Sequence, residues 1–232
     1  MLQLDDLSFA YGSVKAVNGV TLEVAEGSIH GLIGPNGAGK STCIDLVSGL
    51  RRPTSGTVCY RGRDVTRLAA SRRRHLGIAR SFQRISVYPT LTVADQLDLA
   101  ARLVREQDVD SIVEALALGP CLAHTPAEIG YGEQRRVDIA LALVGAPAMV
   151  LLDEPAAGLS REESIALADH LAGLVRDRGM TVVLVEHHLE VVYRVCDRLT
   201  VLDHGAVIAD GQPQEVRRDP RVVEAYLGRS AA

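Results

Sequence analysis

Between residues 2 and 24 the apolar positions come in short alternating runs, Leu2, Leu4, Leu7 and Phe9, then Val20, Leu22 and Val24, interrupted by Gly12 and Gly19. Alternation with a period of two puts one face of an extended chain against a core, so this stretch predicts antiparallel strands. The pattern then changes. Residues 28–33 form a compact apolar strand, followed by a glycine-rich turn and a helical stretch over 40–50. Residues 148–152 and 181–185 are near-continuous apolar runs, as strands of a parallel sheet covered on both faces are. Between them, Ile165, Leu167, Ala168, Leu171 and Leu174 recur at helical spacing, with Gly179 just beyond, and predict a crossover helix over 162–178. The middle differs. Residues 92–104 and 109–118 carry helical periodicity with no strand-like run between them. The prediction is one α/β domain over 1–232, in which 1–88 and 133–232 form a core of parallel sheet and N-terminal antiparallel strands. Residues 89–132 form a short inserted helical subdomain.

Composition narrows the function classes. With 232 residues, 47% hydrophobic and 23% charged, the chain buries enough apolar surface to fold, which excludes a disordered or fibrous protein. A net charge of -4 speaks against nucleic acid as a main partner. The longest apolar stretch, residues 139–152, is about half a bilayer crossing and is broken by Gly145 and Pro147. The start, Met1-Leu2-Gln3-Leu4-Asp5-Asp6, lacks the layout of a signal peptide, and the chain reads as intracellular and soluble. Cys43, Cys59, Cys121 and Cys196 lie far apart and read as reduced, buried thiols. Only Lys15 and Lys40 are lysines among 25 basic residues. Arginines crowd positions 51, 52, 61, 63, 67, 72, 73, 74, 80 and 84, and read either as a solvated face or as a contact surface.

The sharpest chemistry is Gly34-Pro35-Asn36-Gly37-Ala38-Gly39-Lys40-Ser41, a complete GxxxxGK[ST] between a predicted strand and a predicted helix. Glycines let the backbone turn so that N–H groups converge on phosphates, and the helix N-terminus adds positive potential. Lys40 reaches the β- and γ-phosphates, the Ser41 hydroxyl ligates Mg²⁺, and Thr42 donates further along. The run Met149-Val150-Leu151-Leu152-Asp153-Glu154 then supplies an apolar strand ending in two carboxylates. Asp153 is placed to hold Mg²⁺, and Glu154 to polarise the attacking water as general base. The two motifs predict a P-loop nucleoside triphosphatase.

With the remaining motifs, the chain resembles the ATP-binding subunit of an ABC transporter over nearly all its length. Tyr11 lies where that family places an aromatic that stacks on adenine, although a strand-edge packing role fits it as well. Ser81-Phe82-Gln83 matches the Q-loop, whose glutamine senses Mg²⁺ and the attacking water. Ile129-Gly130-Tyr131-Gly132-Glu133-Gln134-Arg135-Arg136 matches the signature region, so Gly130, Gly132 and Glu133 are expected to contact ATP on the opposite subunit. Ala157-Gly158-Leu159-Ser160 resembles the D-loop, and His187 the switch histidine at the γ-phosphate. Pro155-Ala156-Ala157-Gly158-Leu159 and the closing Val223-Glu224-Ala225-Tyr226-Leu227-Gly228 look like the branched-chain amino-acid uptake group. Urea or amide uptake, lipopolysaccharide export and a soluble nucleotide-gated clamp are the alternatives.

The resemblance implies ATP and Mg²⁺ as cofactors, a second ATP-binding subunit, homo- or heteromeric, and integral membrane permease subunits fed by a substrate-binding protein. It also implies a place on the cytoplasmic face of the membrane. Three departures stand out. Gly130 replaces the signature serine, removing a hydrogen bond to a charged group worth roughly 1.5 to 3 kcal/mol, or about ten- to a hundred-fold in turnover. The adjacent backbone N–H groups and the helix N-terminus are expected to remain available. Ser160 replaces the D-loop aspartate, and the span from Gln83 to the signature is short, which predicts a trimmed helical subdomain.

Overall fold

The computed structural model describes residues 1–104 and 108–227. The opening alternation becomes a hairpin in which β1 (Leu2–Tyr11) and β2 (Val14–Val24) pair antiparallel, with Leu4 opposite Leu22 and Leu7 opposite Val20. After β3 (Ile29–Ile33) and helix α1 (Lys40–Ser48), Gly49 in the left-handed region closes the helix. Strands β4 (Ser55–Tyr60) and β5 (Arg63–Asp64) extend the hairpin to a four-stranded sheet of order β2-β1-β4-β5. Helix α2 (Ala70–His75) then leads into β6 (Ile78–Ser81).

The middle of the chain holds α3 (Val93–Val104), α4 (Asp110–Ala115) and two short 3-10 turns, Gly119–Cys121 and Pro126–Glu128. Helix α4 is shorter than the periodicity of 109–118 predicts because Ala117 turns to φ 50, which ends the helical path. Next come α5 (Tyr131–Leu143), β7 (Met149–Asp153), α6 (Arg161–Arg178), β8 (Thr181–Val185) and α7 (Leu189–Val195). Strands β9 (Arg198–Asp203) and β10 (Ala206–Gly211) and helices α8 (Pro213–Val216) and α9 (Pro220–Leu227) complete the described chain. The second sheet runs β10-β9-β3-β8-β7-β6 and is parallel except for β10, which pairs antiparallel with β9.

Strands β3, β7 and β8 are buried at every position, yet alternation survives inside their apolar runs. Val150, Leu152, Val182 and Leu184 face a core shared with α3, α5 and α6. Met149, Leu151, Val183 and Val185 face a second core with α1 and the antiparallel sheet. A sheet covered on both sides places its ligand site outside the carboxyl ends of its strands. Here the order β3-β8-β7-β6 sets the P-loop, residues 186–187, Asp153 with Glu154, and Gln83 side by side at that edge.

The arginine-rich stretch fits neither expected role throughout. Arg73 is fully buried, donating from Nη1 to the Leu46 and Val47 carbonyls at 2.8 and 2.7 Å and from Nη2 to the Thr66 carbonyl at 3.0 Å. It thereby satisfies the open carbonyls at the end of α1, a task that needs a forked donor. Burial lowers its guanidinium to about 10. Arg74 donates to the Val144 carbonyl, and Arg80 turns inward towards the sheet edge. The four cysteines form no disulfide; Cys43, Cys121 and Cys196 are buried as expected while Cys59 is only half-buried, and burial pushes the Cys43 and Cys196 thiols up to about 12.

Candidate functional site

The P-loop leaves β3 at Ile33 and enters α1 at Lys40. Gly34 (φ 146) passes so close to β9 that a Cβ there would lie 2.1 Å from the Leu202 carbonyl oxygen. Gly39 (φ 101) would meet the Ala16 carbonyl oxygen on β2 at the same 2.1 Å. Both glycines are therefore dictated by the approach of neighbouring backbone as well as by phosphate chemistry. Asn36, Gly37, Gly39, Lys40, Ser41 and Thr42 line a cavity of about 200 Å³ together with Ala16, Ala38 and Glu154. Lys40 is 6% exposed and curls back across the loop, donating to the Gly34 carbonyl at 2.7 Å and the Pro35 carbonyl at 3.0 Å.

The two acids behave differently although they are adjacent. Asp153 ends β7 and is buried; Ser41 Oγ donates to its Oδ1 at 3.2 Å, and Arg80 Nη2 to its Oδ2 at 3.2 Å. Desolvation pushes this carboxyl above the usual range, against the pull of Arg80 and the Ser41 hydroxyl. The hydroxyl and carboxylate oxygens of Ser41 and Asp153 are hard donors of the type Mg²⁺ prefers. Glu154 turns off the strand at φ 51, and its N–H donates to the Val185 carbonyl at 2.9 Å. That left-handed step swings its carboxylate out to the P-loop cavity, the kind of backbone strain that structures retain where a site needs it. Gln83 Nε2 donates to Glu154 Oε2 at 2.8 Å, and His187 Nδ1 lies 3.6 Å from Oε1. One carboxylate thus gathers Gln83 and His187 beside Lys40.

A phosphate-binding loop with a buried acid, a strained second acid, a glutamine and a histidine on successive strand ends is the layout of a nucleotide-hydrolysing cassette. Residues 17–157 match the family model described as ABC transporter. The chain belongs to that family. Its residues 206–232 match a second model, described as branched-chain amino acid ATP-binding cassette transporter. The chain is 33% identical over 249 aligned positions, covering 98% of each sequence, to the high-affinity branched-chain amino acid transport ATP-binding protein LivG of Salmonella typhimurium. That alignment is longer than the 232 residues of this chain, so the relative carries residues absent here. Among solved structures, the ADP conformation of an ATP-binding cassette of an ABC transporter superposes with a TM-score of 0.90 at 29% identity, covering 98% of both chains. A dimeric bacterial ABC transporter cassette gives 0.81 at 25% identity, over 92% of this chain and 99% of that one. This ABC cassette is thus an ATPase of the branched-chain amino acid group.

The other expected site residues lie apart from the P-loop cavity of this ABC chain. Gly130 caps α5, and its N–H donates to Glu133 Oε2 at 2.8 Å. The Gly130 amide is thus held by the Glu133 carboxylate of the same helix, and glycine has no side chain to return the hydrogen bond. Glu133 is held below the usual carboxylate range by the Gly130 N–H and then by the Cys121 thiol, which donates to Oε1 at 3.2 Å. Gly132 packs against the Glu163 carboxylate, and the Tyr131 ring lies over Gly158 of the D-loop. Ser160 caps α6, accepting from the Glu163 N–H at 3.2 Å. Tyr11 packs edge-on against Phe9, and the Arg51 guanidinium sits 4.8 Å from its ring centre.

Sequence reading missed three residues that hold this ABC site together. Arg135 of α5, fully buried, donates to the Phe82 and Gln83 carbonyls at 2.8 and 2.6 Å and so ties the signature helix to the Q-loop. Glu186, also fully buried, accepts from the Ala156 N–H at 2.7 Å and the His187 N–H at 3.2 Å, linking the D-loop side to the switch. Arg80 is the third. Only the contrast between a charged residue and an apolar neighbourhood marks Arg80 and Glu186 in the sequence, and it names no partner.

Proposed function

We propose that this ABC ATPase hydrolyses Mg²⁺-bound ATP in a head-to-tail pair with a second ATP-binding subunit, and so drives uptake of branched-chain amino acids through separate membrane subunits. Glu154 carries the reading. Its carboxylate faces the P-loop cavity, held by Gln83 at 2.8 Å with His187 at 3.6 Å, as a general base for an in-line water must be. Lys40 exchanges the Gly34 and Pro35 carbonyls for the β- and γ-phosphates when ATP enters. Ser41 and Asp153 would hold Mg²⁺, which when bound would neutralise charge on the phosphate oxygens. His187 orients the γ-phosphate against Glu154, and Gln83 fixes the carboxylate on the water. Phosphoryl transfer depends chiefly on such positioning and charge placement.

No residue of 129–133 lines the P-loop cavity, which supports a signature that acts on the nucleotide of the partner subunit. Among the described residues no helix is long and apolar enough to cross a membrane, and the proposed place is peripheral, on the cytoplasmic face against the permease subunits. Selectivity then lies in those subunits and in a substrate-binding protein. The test is reconstitution of the chain with its co-purifying membrane subunits and binding protein in vesicles supplied with ATP. ATP-dependent accumulation of labelled leucine, abolished by Glu154→Gln, is the expected result. Accumulation of urea and not leucine would overturn the substrate. ATP hydrolysis by a chain that captures no membrane subunit would overturn the transport role.

A further inference from the structure

Arg80 is the charged residue of the short strand β6, and its side chain is 10% exposed. Its guanidinium is divided between two elements. Nη1 donates to Asp45 Oδ1 at 2.6 Å and to Ser48 Oγ at 3.2 Å, both on α1, while Nη2 donates to Asp153 Oδ2 at 3.2 Å on β7. The Phe82 ring, 5.0 Å from the guanidinium carbon, covers it. Asp45 is braced from outside by Arg51 Nε at 3.1 Å. An anchor between α1 and β6 alone needs only Asp45 and Ser48; the second arm of the fork reaches the acid that faces Ser41.

The consequence is a division of labour between the two oxygens of Asp153. Oδ2 is taken by the arginine, and Oδ1 is left toward Ser41 Oγ at 3.2 Å. A carboxylate swings about its terminal torsion with little resistance unless both ends are held. A planar guanidinium pinned by Asp45 and capped by Phe82 is a rigid holder of the kind that a lysine ammonium is not. We infer that Arg80 is a positioning residue for the metal-binding acid: it fixes Oδ2 of Asp153 so that Oδ1 and the Ser41 hydroxyl stand preset for the cation that accompanies ATP. This rests on the reading that the nucleotide binds with Mg²⁺. Arg80 does not line the P-loop cavity, and its effect is on how strongly the cation reinforces nucleotide binding.

The experiment measures ATP affinity of the full-length chain by calorimetry, once in EDTA and once across a MgCl₂ series, with the spectrum of bound Mn²⁺ as a second signature. In Arg80→Met the metal-free affinity stays within about twofold of wild type, while the Mg²⁺ concentration at half-saturation rises about tenfold and the Mn²⁺ spectrum broadens. Arg80→Lys keeps one charge without the fork and gives an intermediate rise; it carries the same comparison if Arg80→Met does not fold. An unchanged Mg²⁺ dependence in both folded variants, with only the melting temperature lowered, would overturn the proposal and leave Arg80 as an anchor between α1 and β6. Loss of metal-free affinity equal to the loss with metal would overturn it too. If wild type binds ATP equally with and without Mg²⁺, the Mg²⁺ reading itself falls and the inference falls with it.

Discussion

Glu154 and Gly130 set the residue-scale expectations. Glu154→Gln keeps the hydrogen bond from Gln83 but cannot take a proton from water, so steady-state phosphate release should fall by about 10²-fold or more with ATP affinity retained. Equal loss of turnover and of ATP binding would instead assign Glu154 to nucleotide binding. Gly130 has φ -66, and a Cβ there would meet only Glu133 Oε2, at 3.5 Å. A serine therefore fits without strain. Gly130→Ser is expected to raise turnover of a homodimer by about tenfold, the value of one hydrogen bond to a charged group. Unchanged phosphate release would show that the hydroxyl is dispensable.

At the scale of elements, buried polar networks decide stability. Arg73→Met takes the guanidinium donor from the carbonyls of Val47 and Thr66 and leaves Leu46 with only the Gly49 N–H, which should cost about 3 kcal/mol in denaturant unfolding. His30 on β3 contacts Thr200 Oγ1 at 2.8 Å, and that hydroxyl donates to Asp210 Oδ1 at 2.7 Å, so the imidazole must be the donor to the threonine. Burial lowers His30 to about 4, opposed by Asp210 and aided by Arg198. The unfolded chain takes this proton near 6.5 and the folded chain only near 4, so stability is lost as pH falls through that window. The slope is about 1.4 kcal/mol per pH unit, and His30→Gln should flatten it in melts between those limits.

Elements were legible where burial writes a period. The hairpin, β3, β7, β8 and α6 follow from apolar runs, and the P-loop from glycines that the backbone of β2 and β9 demands. Strand β6 was not legible, because Ile78-Ala79-Arg80-Ser81 is short and spends its arginine on contacts from distant segments. Arg135 and Arg73 were hidden for another reason: their hydrogen-bond acceptors are backbone carbonyls, which carry no sequence signal.

For the whole molecule, the separation of the signature from the P-loop cavity predicts assembly that depends on nucleotide. Glu154→Gln with ATP should elute as a dimer in light scattering and return toward monomer when ATP is removed; a mass independent of ATP would argue against a shared site. The scarcity of lysine has a practical consequence here. An amine-selective acylating reagent finds only the N-terminal amine, exposed Lys15 and the recessed Lys40 on this chain. Lys40 donates to two carbonyls of its own loop, and under the proposed function it exchanges them for phosphate oxygens when ATP binds. Its modification rate, set against that of Lys15 in the same digest, is a built-in gauge of occupancy that needs neither a label nor a mutation.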